Sequence, residues 1–211
     1  MKILNAVVFS LLPVAASAGL IENGGFDDGL NGWNTTNAIG GGIDIVTEAN
    51  GNNYARISDP SSFGTELLYQ GFYIPQNVDT INVTFRYNFD VIKDDSWLFD
   101  DWAFSQLLTV QSNAFEAVKF LTSSVSSDGD TGWVTFSGDY DVSQVWNTDP
   151  NAVLNFGITE TWAGLFSDKT DSAFYIDDVN VTATSVPEPG SLLLMALGLV
   201  GLGLARKTQK S

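Results

Sequence analysis

The sequence predicts an all-β fold, an antiparallel β-sandwich, and three observations carry that reading. Residues Thr80 to Asp90 alternate throughout: Ile81, Val83, Phe85, Tyr87 and Phe89 share one face, and Asn82, Thr84, Arg86, Asn88 and Asp90 share the other. A period of two means a strand with one buried and one wet face. Apolar segments of strand length recur along the chain, separated by turn residues. No segment between residues 19 and 186 sustains a helical period.

The other strands follow in chain order. They are predicted over Ile43 to Thr47, Tyr54 to Ser58, Leu67 to Ile74, Trp102 to Gln111 and Phe115 to Leu121. Val134 and Phe136 mark the next, Leu154, Phe156 and Ile158 another, and Phe174 to Thr182 the last. Asn50-Gly51-Asn52, Asp59-Pro60, Asp128-Gly129-Asp130 and Asp149-Pro150 read as turns between them. About nine short strands without a helix point to an antiparallel sandwich. Trp102 and Phe104 alternate as core residues would, so the segment from Asp90 to Phe104 reads first as a hairpin with solvated aspartates.

Both ends of the chain differ from this body. Lys2, the apolar run Ile3 to Ala15 and the small residues Ala16-Ser17-Ala18 have the three parts of a secretory signal. Residues 1–18 are therefore expected to form a signal helix, cut after the Ala16 to Ala18 site, with the mature chain starting at Gly19. At the other end, Val186-Pro187-Glu188-Pro189-Gly190 breaks regular structure because each proline fixes φ and removes a donor. An apolar span over residues 191–205 follows, then Arg206, Lys207 and Lys210. As a helix, Gly190 to Ala205 would be about 24 Å long, short against a hydrocarbon core of about 30 Å. The expected organisation is a signal peptide (1–18), a β-sandwich domain (19–185) and a tail with a short transmembrane helix (186–211).

The tail resembles that of PEP-CTERM proteins, the substrates of exosortases in Gram-negative bacteria that make exopolysaccharide. Val186, Pro187, Glu188, Pro189, Arg206 and Lys207 carry the resemblance, in order and spacing. It implies a recognition and processing signal read by the exosortase. The chain would be held in the inner membrane transiently, with its basic end cytoplasmic. It would then pass to the cell surface or the exopolysaccharide matrix, as in a biofilm.

Composition narrows what the domain can do. Four of the 9 basic residues (Lys2, Arg206, Lys207, Lys210) and one of the 25 acidic residues (Glu188) lie outside residues 19–186, leaving 5 against 24, a net −19. Such a field repels nucleic acid and anionic lipid. There is no histidine and no cysteine. That excludes Ser-His-Asp and Cys-His catalysis, zinc sites needing those ligands, and disulfide support for the core.

The domain's two ends resemble galactose-binding-like jelly rolls, including several carbohydrate-binding modules. Asn23-Gly24-Gly25-Phe26-Asp27-Asp28-Gly29-Leu30-Asn31-Gly32-Trp33 resembles their opening strand, and Phe174-Tyr175-Ile176-Asp177-Asp178-Val179-Asn180-Val181 their closing strand. Thr131-Gly132-Trp133 and Leu154-Asn155-Phe156-Gly157 are similar to segments of single-domain PEP-CTERM proteins. The jelly-roll resemblance implies a structural Ca²⁺ held by Asp27 and Asp177, where the family usually has Glu at the first position. Strict alternation puts Asp177 on one face with Val179 and Val181; if that face is the core, Asp177 is a buried carboxylate that needs a partner, and the alternative to calcium is hydrogen bonding to backbone at the sandwich rim.

A second candidate site lies in the Asp90 to Phe104 stretch, where Asp94, Asp95, Trp97, Asp100 and Asp101 mix carboxylates with an aromatic ring. Aromatic faces stack on sugars and carboxylates accept sugar hydroxyls, and the same oxygens suit Ca²⁺. The expected role is structural or interacting at the surface, without catalysis. A glycan-binding module sorted by the same route is the alternative, and a two-carboxylate glycoside hydrolase a remote one. Exposed rings among Trp33, Trp97, Trp133, Trp146 and Trp162 favour the binding module.

Overall fold

A computed structural model of the protein describes residues 19–36, 40–59, 64–76, 78–92, 102–111, 114–124, 129–145, 149–160 and 171–185. Eleven strands are present among them: β1 (Asn34–Thr35), β2 (Gly42–Thr47), β3 (Asn53–Ser58), β4 (Gly64–Tyr73), β5 (Val78–Ile92), β6 (Trp102–Gln111), β7 (Ala114–Ser124), β8 (Gly129–Asp130), β9 (Val134–Asp141), β10 (Asp149–Glu160) and β11 (Asp171–Ser185). The segment Ser17–Thr184 forms one compact unit. The signal and tail helices expected from the sequence lie outside the described residues.

The strands form two antiparallel sheets. One has the order β1-β4-β10-β6-β7, and the other β2-β3-β11-β5-β8 with β9 also paired to β5. The core lies between them. Ile81, Val83, Phe85 and Phe89 of β5 are buried, as the alternation requires, and Tyr87 packs partly against the same cluster. Leu154, Phe156 and Ile158 supply the facing row from β10. Phe85 meets Phe156 edge-on at 5.0 Å between ring centroids, so the two sheets touch through aromatic rings. Such pairs add about 0.5–1.5 kcal/mol beyond the area they bury.

Three sequence expectations change. Asn23 to Trp33 forms successive turns rather than an opening strand. Asn23, Phe26, Gly29 and Gly32 all have positive φ, and Gly24 packs so closely that a Cβ there would fall 1.8 Å from the Val179 carbonyl oxygen. Asn23 organises the segment: its amide donates to the Gly29 and Asn31 carbonyls, and its own carbonyl accepts Trp33 Nε1–H. Gly129 and Asp130, expected in a turn, form β8 and pair with Val91 and Asp90. Asp149 and Pro150 open β10 rather than a turn. The register shifts between Asp149 and Ala152, and a proline is tolerated at such an irregular strand start.

Thr131-Gly132-Trp133 makes the step from β8 to β9. The Thr131 hydroxyl accepts Phe89 N–H at 2.9 Å, Thr131 N–H donates to the Phe89 carbonyl, and Gly132 takes a φ of 65°. The turn delivers Trp133 onto the outer side of the six-stranded sheet.

Candidate functional site

Each sheet leaves one row of residues on the side away from the core. On the five-stranded sheet, Leu68 and Phe72 of β4 point inward with Glu66 and Gln70. The opposite row therefore holds Thr65, Leu67, Tyr69, Gly71 and Tyr73. This strand inverts the usual distribution: polar Glu66 and Gln70 are buried, while two tyrosines face out. Gln70 is satisfied by the backbone of Glu22, accepting its N–H at 2.7 Å and donating to its carbonyl at 3.0 Å.

The neighbouring strands continue that outer row in register. Asn155 of β10 lies opposite Tyr69 on one side and Gln106 on the other. Gly157 lies opposite Leu67 and Phe104, and Thr159 opposite Thr65 and Trp102. Asn34 of β1 joins at Tyr69. Tyr73 is 54 % exposed. Asn155 is 4 % exposed, and its side-chain Oδ1 has no hydrogen-bond partner. An unsatisfied buried acceptor costs about 1–3 kcal/mol. Among the described side chains of this row, those of β4, of Asn151 to Thr159 and of Gln106 and Leu108, there is no carboxylate. The core row of β6 holds Ala103, Ser105 and Leu107; the side chains of Trp102 and Phe104, expected in the core, lie outside the described residues.

The outer row of the six-stranded sheet is built differently. Tyr54 of β3 meets Trp133 edge-on at 5.3 Å and Tyr175 of β11 at 5.7 Å. The Arg86 guanidinium lies over the Trp133 ring at 4.9 Å. Arg56 pairs with Asp44 at 2.9 Å, and Asn82 donates to Asp139 at 2.7 Å. Burial raises the Tyr54 and Tyr175 hydroxyl pKa values above the ordinary value.

Asp177 belongs to this second face, which corrects its expected place beside Val179 and Val181. Asp178 has a φ of 51°, a left-handed conformation that Asp tolerates better than most residues. It inserts one extra residue between Ile176 and Val179, both buried, and turns Asp177 toward Arg86. Asp177 is only 1 % exposed. Its Oδ1 accepts Asp178 N–H at 2.7 Å, its Oδ2 accepts the Asn52 amide at 3.1 Å, and Arg86 Nη1 stands 3.6 Å from Oδ2. Burial raises the Asp177 pKa, the Asn52 and Asp178 hydrogen bonds pull it back, the Asp178 charge raises it, and Arg86 lowers it.

These surroundings do not fit Ca²⁺. Asp27 is exposed, and Asp177 is engaged by an amide, a backbone N–H and a guanidinium. Among the described residues no group of three or more acidic side chains converges on a metal position. Two unit charges about 4 Å apart interact by about 4 kcal/mol at an effective dielectric of 20, and a divalent ion beside the guanidinium doubles that repulsion.

Of the tryptophans expected to decide the binding reading, Trp33 is buried at 7 % exposure and Trp133 is half-buried. Trp97, Trp146 and Trp162 lie outside the described residues, as do Asp94, Asp95, Asp100, Asp101, Ala16 and Ala18. Tyr69, Tyr73 and Asn155 were not singled out from the sequence. The signal available was the inverted alternation of β4, with tyrosines on one row and Glu66 and Gln70 on the other.

Residues 185–207 match the PEP-CTERM protein-sorting motif, a segment that includes Val186, Pro187, Glu188, Pro189, Arg206 and Lys207. No curated protein matches the chain. Among solved structures, the chain is similar to TmCBM61 in complex with beta-1,4-galactotriose, at 13 % identity and a TM-score of 0.50 over 80 % of this chain and 100 % of that one. It is also similar to the enzymatically active domain of bacteriophage CBA120 tailspike protein 4, at 12 % identity and a TM-score of 0.51 over 79 % of this chain but only 21 % of the other. The chain thus joins an all-β sandwich of the carbohydrate-binding-module jelly-roll fold to a PEP-CTERM sorting motif that marks it for export and exosortase processing.

Proposed function

We propose that the chain is a surface-sorted, non-catalytic glycan-binding protein of a Gram-negative envelope or exopolysaccharide matrix. Its binding surface is the outer row of the five-stranded sheet. One observation carries this reading: in a chain with 25 acidic residues, the described side chains of that row are tyrosines, amides, hydroxyls and a few aliphatic groups, with no carboxylate among them. Rings stack on sugar faces, and amides exchange hydrogen bonds with sugar hydroxyls. The acidic remainder of the domain keeps it soluble and repels polyanions, which leaves an uncharged glycan strand as the fitting ligand.

Affinity electrophoresis of the purified protein through gels containing uncharged polysaccharides (galactan, xylan, mixed-linkage glucan) tests the reading. Retardation by at least one, with none in gels lacking polysaccharide, is expected. Free migration in all of them would leave the surface role purely structural. Sorting has its own test. Replacing Pro187 and Glu188 with Ala should leave export intact and trap the protein in the inner membrane at its uncut mass. Release at the wild-type mass would reduce the motif to a linker.

A further inference from the structure

We propose that Arg86 is the built-in counter-cation of the Asp177 carboxylate, so that the junction of β3, β5 and β11 is closed by a side chain and needs no metal. The left-handed Asp178 turns Asp177 out of the core row and onto the face that carries Arg86. The guanidinium reaches both acidic side chains, with Nη1 3.6 Å from Asp177 Oδ2 and 3.4 Å from Asp178 Oδ2. It does not wander to do so, because the Trp133 ring lies under it at 4.9 Å. Asn52, just before β3, fixes the same Oδ2 from the other side at 3.1 Å.

Three strands therefore converge on one buried carboxylate. The opening segment docks beside them, where Val179 N–H donates to the Gly24 carbonyl at 2.9 Å. A cation at Asp177 Oδ2 would meet the guanidinium and the Asn52 amide hydrogens, both of the wrong polarity. Asp27, the second ligand that the jelly-roll resemblance implies, is exposed and takes no part in these contacts. The inference is independent of what the other sheet binds.

Thermal melts of the purified protein in EGTA and in millimolar Ca²⁺ test it, with the variants Arg86→Met, Arg86→Lys, Asp177→Asn and the double variant Arg86→Met/Asp177→Asn. The wild-type midpoint should be the same in both buffers. Arg86→Met should melt lower, because it strands a buried carboxylate. The double variant should recover part of that loss by removing the stranded charge. Arg86→Lys should keep more of the midpoint than Arg86→Met and remain indifferent to Ca²⁺. A Ca²⁺-dependent rise in the wild type that disappears in Asp177→Asn would overturn the proposal. So would a double variant no more stable than Arg86→Met. A Ca²⁺-dependent rise that survives in Asp177→Asn would place the metal elsewhere and leave Asp177 with its arginine. Where Arg86→Met does not fold, the Arg86→Lys and Asp177→Asn melts still decide between the two cations.

Discussion

On the six-stranded sheet the outer row is closed on itself: Arg86 lies on Trp133, Tyr54 wedges between Trp133 and Tyr175, and Asp177 takes Asn52 and Asp178. On the five-stranded sheet the outer row holds Tyr69, an exposed Tyr73 and an Asn155 whose Oδ1 meets no donor. Both rows come from antiparallel strands. Groups that satisfy one another contribute stability and leave nothing for a ligand. Ser172 Oγ is unpaired too, but it sits in the core row of β11 and faces no outer surface.

The core that the two faces share sets the largest effect. Phe156 touches Trp33, Phe85 and Phe174. Phe156→Ala should lower unfolding stability by about 3–5 kcal/mol in urea titration and take both faces with it. A loss confined to one face would mean that the sheets do not share a core.

Trp133→Ala comes next. It removes the Tyr54 edge contact and the Arg86 stack, which together contribute on the order of 1–2 kcal/mol. Stability should fall by that much while retardation by polysaccharide stays at the wild-type value. Loss of retardation without loss of stability would reverse the roles assigned to the two faces.

A smaller effect concerns pH. Asp177 has a raised pKa in the folded chain, so its contribution is most favourable below the ordinary carboxylate value, about 4, and is lost as pH rises through the raised value. Asp178 and Arg86 are the charged groups that face it, with Asn52 as its neutral partner. The wild-type midpoint minus that of Asp177→Asn should therefore fall as pH rises from 4 toward neutrality. A difference that stays flat, or grows with pH, would contradict the burial that raises this pKa.

Much of the architecture is legible in the sequence because one rule governs it. Ile81, Val83, Phe85 and Phe89 are buried as their period requires, and β3, β6 and β10 appear where patterned runs stand. Backbone conformations that alternation cannot encode are less legible. Nothing in the period announces the left-handed Asp178 that moves Asp177 to the other face, or the turns that replace an opening strand at Asn23 to Trp33. The candidate site was missed for a related reason. In β4 both rows contain large side chains, and the buried row contains Glu66 and Gln70, so hydrophobicity points the wrong way. Only the register with Asn155 and Gln106 assembles Tyr69 into a surface. The sorting tail is legible because its order of proline, acid, apolar span and basic end is local, and residues 185–207 match the motif.

The contrast between the two faces is tested most directly by one measurement: affinity electrophoresis of Tyr69→Ala and Trp133→Ala beside the wild type, in the polysaccharide gel that retards the wild type most. Tyr69→Ala removes one ring from the open face and should weaken binding about tenfold, equivalent to about 1.4 kcal/mol, with the urea midpoint almost unchanged. Trp133→Ala should bind as the wild type does. If Tyr69→Ala is retarded as strongly as the wild type while Trp133→Ala runs free, the ligand lies on the six-stranded face and the account is wrong.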